Sequence, residues 1–374
     1  MWRRIIVLLA ALLCFILPCA AEDIEDEYAH MIDSLPGDVV SLLPESFFDG
    51  LDGASEGVDE VLAPSFWREL LGELLLVGAE ENLPLLISLF LLILLSAVMS
   101  AFKDVFRSEA LAGAVSLGVS VVAVSIFVRQ SSAHIELVTS YVERVTQLST
   151  AMLPVMGTIL AMGGSGGAAV ATHGGFLMIL GVIEVVVGEA FGGIVGISLA
   201  LSVANIFSGK FRLAAIGRAV RRCFGIFFGS VTALIGFLLS IKIGISAAGD
   251  SVAMRGAKIF ASNAIPVVGS AVGDSLRTLA ASLSYIKSVS GAVGMILVLL
   301  LFLPVFIKLW LFRSGLVLLS GAAEMLGCDR ERELVSGVVS IYGYILAVIA
   351  IVTLAFILML TLFTKTSLAF GGGI

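Results

Sequence analysis

The sequence predicts an all-α, polytopic membrane helix bundle that contains an internal duplication and carries a small acidic extracytoplasmic segment at its N-terminus. The 374-residue chain is 59% hydrophobic and 14% charged, with a mean hydropathy of +1.10, whereas about a quarter of the residues in soluble domains are charged. Apolar runs long enough to cross a bilayer recur between residues 83 and 363. So much apolar surface avoids water only in lipid, so membrane lipid is an expected partner. A Pro-Val-x-Gly element occurs twice, which indicates the duplication.

Residues 1–21 have the form of a signal peptide. Two arginines precede a short apolar run, and Ala20-Ala21 supplies the small residues of a cleavage site. Cleavage after Ala21 is expected, and an uncleaved signal anchor is the alternative. Cleavage leaves Cys223 and Cys328 beside loops that we expect to be cytoplasmic, so neither a disulfide nor a metal cluster is expected.

The segment 22–82 is strongly acidic and is expected to lie outside the cytoplasm. It holds 17 of the 29 acidic residues and a single basic residue, Arg68. Acidic residues hinder export far less than basic ones do. Within this segment, apolar residues recur at helical spacing over 61–81, which predicts an amphipathic helix on the outer membrane surface. Packing of that helix on a partner protein is the alternative.

The membrane part follows in a fixed order. We predict a first span (83–101), membrane repeat 1 (111–210), membrane repeat 2 (223–322), a last span (334–363) and a tail (364–374). Within the repeats, apolar spans are expected at 111–128, 176–207, 223–247 and 291–312, which gives six spans. Five basic residues crowd the loop between the repeats, and they place that loop in the cytoplasm. They are Lys210, Arg212, Arg218, Arg221 and Arg222.

The two Pro-Val-x-Gly elements contain Pro154 with Gly157 and Pro266 with Gly269. A proline in a helix interior costs about 3 kcal/mol, and at membrane depth the freed backbone groups must face protein or water. We therefore predict that both elements are broken or re-entrant helices that line a transport path. If each element crossed the membrane fully, the two copies would be inverted and not parallel.

Glu184 is the strongest candidate for an intramembrane functional residue. At 100° per residue it shares one helix stripe with four glycines, which are expected to let another helix approach closely. These are Gly181, Gly188, Gly192 and Gly196. Glu184 is therefore predicted to point into protein, either contacting a cation, proton or polar solute or forming a structural hydrogen bond. Lys308 is expected near the inner end of the span 291–312.

The sequence offers little evidence for catalysis, metal binding or nucleic-acid binding. No nucleophile–base grouping, metal-ligand spacing or base-reading motif stands out, and the glycine run 163–167 lacks the Gly-Lys-Ser/Thr ending of a phosphate loop. We therefore predict that the protein is not an enzyme, takes no cofactor or metal, and binds no nucleic acid.

The layout resembles the stage III sporulation protein AE family. The resemblance rests on the exported acidic segment, the elements at 153–157 and 265–269, the sequence Gly-Ser-Ala-Val-Gly-Asp-Ser-Leu at 269–276 and the long last span. It implies a multi-pass protein of the mother-cell membrane facing the forespore. It further implies a place in a channel or transport complex with a cytoplasmic ATPase and ring-forming intermembrane proteins. An autonomous secondary transporter and a non-conducting scaffold are the alternatives.

Overall fold

The computed structural model describes residues 61–101, 109–208, 213–264 and 269–366, and these residues form helices and short turns without a strand. Five helices in this part of the chain are long and apolar enough to cross a membrane, which confirms an all-α, multi-pass architecture. The predicted signal peptide, most of the acidic segment, Pro266 and most of the tail lie outside the described residues. The helices are α1 (Pro64–Ala101), α2 (Glu109–Met162), α3 (Gly166–Ile183), α4 (Gly192–Ser208), α5 (Leu213–Ala264), α6 (Gly269–Met325) and α7 (Asp329–Lys365).

Helices α6 and α7 form an antiparallel pair at the centre of the bundle. A Cβ on Gly294 of α6 would lie 3.2 Å from a methyl carbon of Leu360 in α7, and a Cβ on Gly291 would overlap Thr364. The absence of side chains at these two glycines therefore allows the helices to approach closely. Apolar side chains of α7 such as Phe356 and Ile345 are fully buried, and their burial supplies the main driving force for packing.

Helix α1 runs parallel to the second half of α6. Gly78 of α1 lies where a Cβ would be 2.9 Å from Leu311. Further along, Ile93 of α1 accepts a weak hydrogen bond from the thiol of Cys328 (3.7 Å), and Ser96 donates one to Glu331 (2.7 Å). The end of α1 and the turn between α6 and α7 therefore lie at the same end of the bundle.

Lys308 lies in the interior of α6 and not at its end. The apolar run after residue 312 does not leave the helix, and α6 continues to Met325. Lys308 therefore lies roughly 25 Å of helix before the end of α6. It sits beside Glu81 and Gly78 of α1.

The surface helix predicted over 61–81 and the first span are parts of one helix. Helix α1 has 38 residues and contains Pro84 in its interior. Trp67 packs against the hydrophobic core, as does Leu86 further along the same helix. Because both ends of α1 bury apolar side chains on its neighbours, the helix continues past Pro84 and does not turn along the surface.

The first Pro-Val-x-Gly element does not break its helix. Helix α2 continues through Pro154 and Gly157 to Met162, and the chain turns at residues 163–165, where Gly164 has a φ of 76°. Pro154 is exposed, while its neighbours Leu153 and Val155 are buried. Burial of these neighbours holds the helix together despite the lost backbone hydrogen bond.

The second element lies almost wholly outside the described residues. Helix α5 is described to Ala264 and α6 from Gly269, and Pro266 is not among the described residues. The described helices do not show the duplication that the repeated motif predicts.

Candidate functional site

A polar cavity of about 260 Å³ lies between α1, α2 and α6. All three helices contain segments apolar enough to span a membrane. Its volume is sufficient for several water molecules. The polar and charged side chains that line it are Glu81, Ser140, Tyr141, Arg144 and Lys308.

An ion pair between Glu81 of α1 and Lys308 of α6 closes one side of the cavity. The adjacent residue, Asn82, is buried and donates hydrogen bonds to the backbone carbonyls of Gly78 (2.8 Å) and Lys308 (3.1 Å). The ion pair and the amide therefore bridge α1 and α6 where Gly78 lets the two helices approach. Two helices held in this way fix the position of both charges.

Pro304 places a break in the hydrogen bonding of α6 at the cavity wall. Proline has no backbone N–H, so the carbonyl of Leu300 one turn earlier loses its usual helical partner. Pro304 and Leu300 both line the cavity. In a membrane a freed carbonyl of this kind is tolerated where it faces protein or water, so the cavity gives the break a polar environment.

Helix α2 contributes the opposite wall through Ser140, Tyr141 and Arg144. The phenol of Tyr141 lies 2.6 Å from the hydroxyl of Thr353 in α7. Arg144 is half-buried and engages another group. With Arg144 and Lys308 opposite a single carboxylate, the cavity lining has one more positive than negative charge. The site is thus suited to water, to a polar solute or to an anionic group.

A second buried polar group links α2 to α7. It lies about two helical turns before Tyr141 on α2. His134 contacts the hydroxyl of Tyr342 through Nδ1 (2.6 Å) and the amide nitrogen of Gln130 through Nε2 (2.9 Å). Because an amide nitrogen can only donate, Nε2 of the neutral imidazole accepts, and Nδ1 donates to Tyr342. Phe312 of α6 packs against both the imidazole and the phenol. This group has apolar surroundings and acts as a connection between helices.

Glu184 lies on the outside of the described bundle. The side chain is exposed, and Glu184 is the first residue of a π-helical segment, Glu184–Phe191, that joins α3 to α4. Hydrogen bonds from i to i+5 put more residues in each turn than an α-helix has. A stripe calculated at 100° per residue therefore drifts off its face when it passes through this segment.

The glycine stripe is not the helix contact that the sequence predicts. Among the described residues, no atom of a neighbouring helix lies within 4 Å of a Cβ built on Gly181, Gly188 or Gly196. Gly192 alone of the four meets a neighbour, Ile135 of α2, at 3.7 Å. Close helix contacts occur instead at glycines of α1, α6 and α7, which sequence reasoning did not single out.

Of the residues predicted for a transport path, the described Pro154, Gly157 and Glu184 do not line the cavity. Pro154 is exposed on α2, Glu184 is exposed at the π-helical segment, and Pro266 is outside the described residues. The signal that sequence reasoning missed is Pro304 four residues before Lys308 in an otherwise apolar run. Within the described ranges, no three His, Cys, Asp or Glu side chains are grouped closely enough to hold a metal ion.

The fold and the cavity define a multi-pass helical protein of the membrane type. The family model described as "Stage III sporulation protein AE (spore_III_AE)" matches residues 51–367, and the chain belongs to this family. The resemblance stated from the sequence is thereby confirmed. The chain is similar to the stage III sporulation protein AE of Bacillus subtilis (strain 168), with 22% identity over 321 residues, which is 86% of this chain and 80% of that protein. No solved structure matches.

Proposed function

We propose that this protein is a non-enzymatic membrane component of a channel or transport complex between mother cell and forespore. It would lie in the mother-cell membrane facing the forespore, with a cytoplasmic ATPase and ring-forming intermembrane proteins as partners. Membership of a sporulation family and five apolar helices support the general class. The single observation that favours a transport role is the cavity lined by the Glu81–Lys308 ion pair between three apolar helices.

The physical argument concerns the cost of the charges. A charged side chain at the centre of a bilayer costs at least about 2.5 kcal/mol on insertion scales, and such residues mark ion or solute pathways. The Glu81 side chain is 50% exposed and that of Lys308 is 32% exposed, so both charges remain accessible to water or a polar solute. The retained pair next to Pro304 therefore supports a site that meets a polar solute or water.

A scaffold without a permeation path is the second candidate. It is favoured by the filled core of α6 and α7 and by polar groups that satisfy one another across helices, as Tyr141 and Thr353 do. In that case the Glu81–Lys308 pair would only join α1 to α6. An autonomous secondary transporter remains a third reading, and loss of activity without the partner proteins would count against it.

Charge exchange separates the first two candidates. The experiment compares Glu81→Gln, Lys308→Met and the double exchange Glu81→Lys with Lys308→Glu in sporulating cells. It measures membrane abundance, the yield of heat-resistant spores and late reporter synthesis inside the forespore. A transport role predicts normal abundance of the double exchange with spore yield lowered by roughly tenfold or more, because an exchanged pair keeps the helix contact but reverses the charges that face the cavity.

The surface pair Glu324–Arg332, whose nitrogen and oxygen are 3.3 Å apart, provides the matched control. Exposed pairs contribute about 0–1 kcal/mol, so Glu324→Gln should leave all three readouts unchanged. Full recovery of spore yield by the double exchange would show that the Glu81–Lys308 pair is structural. That result would reject the transport role and favour the scaffold.

A further inference from the structure

An open cleft between the first part of α5 and the middle of α7 contains three arginines. Arg218, Arg221 and Arg222 come from α5, and Ser340 and Tyr344 come from α7. The cleft encloses about 680 Å³. It shares no lining residue with the polar cavity between α1, α2 and α6, so the two sites are separate.

Arg221 is buried without a complete set of partners. Its side chain is only 4% exposed, and Nη2 donates a 2.9 Å hydrogen bond to the hydroxyl of Ser340, while Nη1 has no hydrogen-bond partner. Within the described ranges no carboxylate forms an ion pair with this guanidinium. Burying a cation without a counter-ion costs free energy. Binding of one negatively charged group beside Arg221 would reduce that cost.

Tyr344 is the second buried donor without a partner. Its side chain is 7% exposed, and its hydroxyl makes no hydrogen bond to any of the described residues. The ring stacks on Phe191 with centroids 6.1 Å apart, which fixes the direction of the hydroxyl. Arg221 and Tyr344 therefore hold a buried N–H and a buried O–H without partners in the described part of the chain, on two helices that line one cleft.

This donor set matches a phosphate group. The guanidinium fork pairs with phosphate oxygens in a bidentate manner, and charge-assisted hydrogen bonds are about twice as strong as neutral ones. Arg218 and Arg222 are exposed and add positive charge at the mouth. The other lining residues include Ile226 and Ala347, so one wall is apolar.

We propose that the α5–α7 cleft binds a phosphate group through Arg221 and Tyr344, and that the headgroup of an anionic phospholipid supplies it. The apolar wall is the reason for choosing a lipid over free phosphate, since Ile226 is 61% exposed beside the arginines and can contact an acyl chain. Arginines next to an apolar span attract anionic lipid by about 1 kcal/mol each. The site is independent of the proposed transport role.

The test uses the purified full-length chain in a neutral detergent. Thermal midpoints are measured while phosphatidylglycerol, phosphatidylcholine or inorganic phosphate is titrated, because a ligand that binds only the folded state raises the midpoint. The proposal predicts a saturable rise with phosphatidylglycerol and none with phosphatidylcholine. A rise of equal size with inorganic phosphate at the same concentration would overturn the lipid as the source.

Variants test the donors. Arg221→Gln should weaken the apparent affinity for phosphatidylglycerol about tenfold or more, and Tyr344→Phe by severalfold, because each loses a hydrogen bond to a charged group. Tyr344→Phe keeps the ring on Phe191, so it remains informative if Arg221→Gln does not fold. The matched control is Arg330→Gln, an exposed arginine at the start of α7.

Two outcomes would reject the site. Equal affinity of wild type, Tyr344→Phe and Arg221→Gln for phosphatidylglycerol would mean that lipid binds by general surface charge. A loss in Arg330→Gln as large as the loss in Tyr344→Phe would lead to the same conclusion.

Discussion

Tyr141 of α2 donates a hydrogen bond to Thr353 of α7 across 2.6 Å. The direction follows from Thr353, whose hydroxyl hydrogen is used in a 2.7 Å bond to the carbonyl of Ile349. A threonine hydroxyl has one hydrogen, so the shared hydrogen belongs to the phenol. Both residues are buried, and Tyr141 also lines the polar cavity. The pair therefore connects the cavity wall to the central helix.

Because Tyr141 is the donor and Thr353 the acceptor, removing one or the other should lower the stability of the protein by different amounts. Thr353→Val leaves the buried phenol of Tyr141 without an acceptor, which costs about 1–3 kcal/mol, whereas Tyr141→Phe removes the donor and costs about 1 kcal/mol. Thermal midpoints of the two variants in detergent check the order. A larger loss in Tyr141→Phe would mean that cavity water serves the phenol after Thr353 is changed.

The glycines of α6 provide a test of the helix contacts. Gly291→Ala should destabilise the protein by about 1–3 kcal/mol, because its methyl group would overlap Thr364 of α7 in a tightly packed contact. Gly321→Ala is the control in the same helix, since no neighbouring atom lies within 4 Å of its Cβ position. That change should be neutral or stabilise by up to about 1 kcal/mol. Similar unfolding midpoints for both variants would contradict the packing of α6 on α7.

The helical class follows from the sequence because apolar runs and hydropathy are local properties. The continuity of α2 through Pro154 could not be predicted in this way, because it depends on the burial of Leu153 and Val155. The face of Glu184 was also missed, since a π-helical segment changes the number of residues in each turn. Such features depend on tertiary packing, which a single sequence does not contain.

The cavity shows the same limit at the level of the site. Glu81 and Lys308 are visible in the sequence as charges beside apolar runs, but their pairing depends on the parallel arrangement of α1 and α6. That arrangement in turn depends on Gly78, which looks like an ordinary glycine of an apolar helix until its neighbour Leu311 is known. Prediction of the pair therefore required the relative register of two helices far apart in the chain.

Cys328 in the turn between α6 and α7 should resist alkylation. Burial and the nearby Glu331 raise the pKa of the Cys328 thiol, and the side chain is only 5% exposed. The thiolate is the reactive form, so a raised pKa leaves less of it at a given pH and the labelling rate should increase with pH. The measurement is maleimide labelling of a chain in which Cys14, Cys19 and Cys223 are serine.

The control for this measurement carries Arg330→Cys together with Cys328→Ser. Residue 330 is exposed two positions further along, so its thiol should label at least about tenfold faster at pH 7. Sodium dodecyl sulfate should abolish the difference by unfolding the turn. Equal labelling of the two folded proteins would show that the turn is open and that Cys328 does not pack on Ile93.

The two prolines inside α2 and α6 should differ in their importance for function. Pro304→Ala restores an N–H that can bond the carbonyl of Leu300, so the cavity wall loses a free carbonyl and α6 straightens beside Lys308. Spore yield should therefore fall while the abundance of the protein in the membrane is unchanged.

Pro154→Ala restores the same kind of bond on an exposed face away from the cavity. Surface changes usually alter stability by no more than about 0.5 kcal/mol. Spore yield of this variant should therefore stay within about twofold of wild type. If Pro154→Ala abolished sporulation and Pro304→Ala did not, the path would lie along α2, and the cavity between α1, α2 and α6 would lose its functional role.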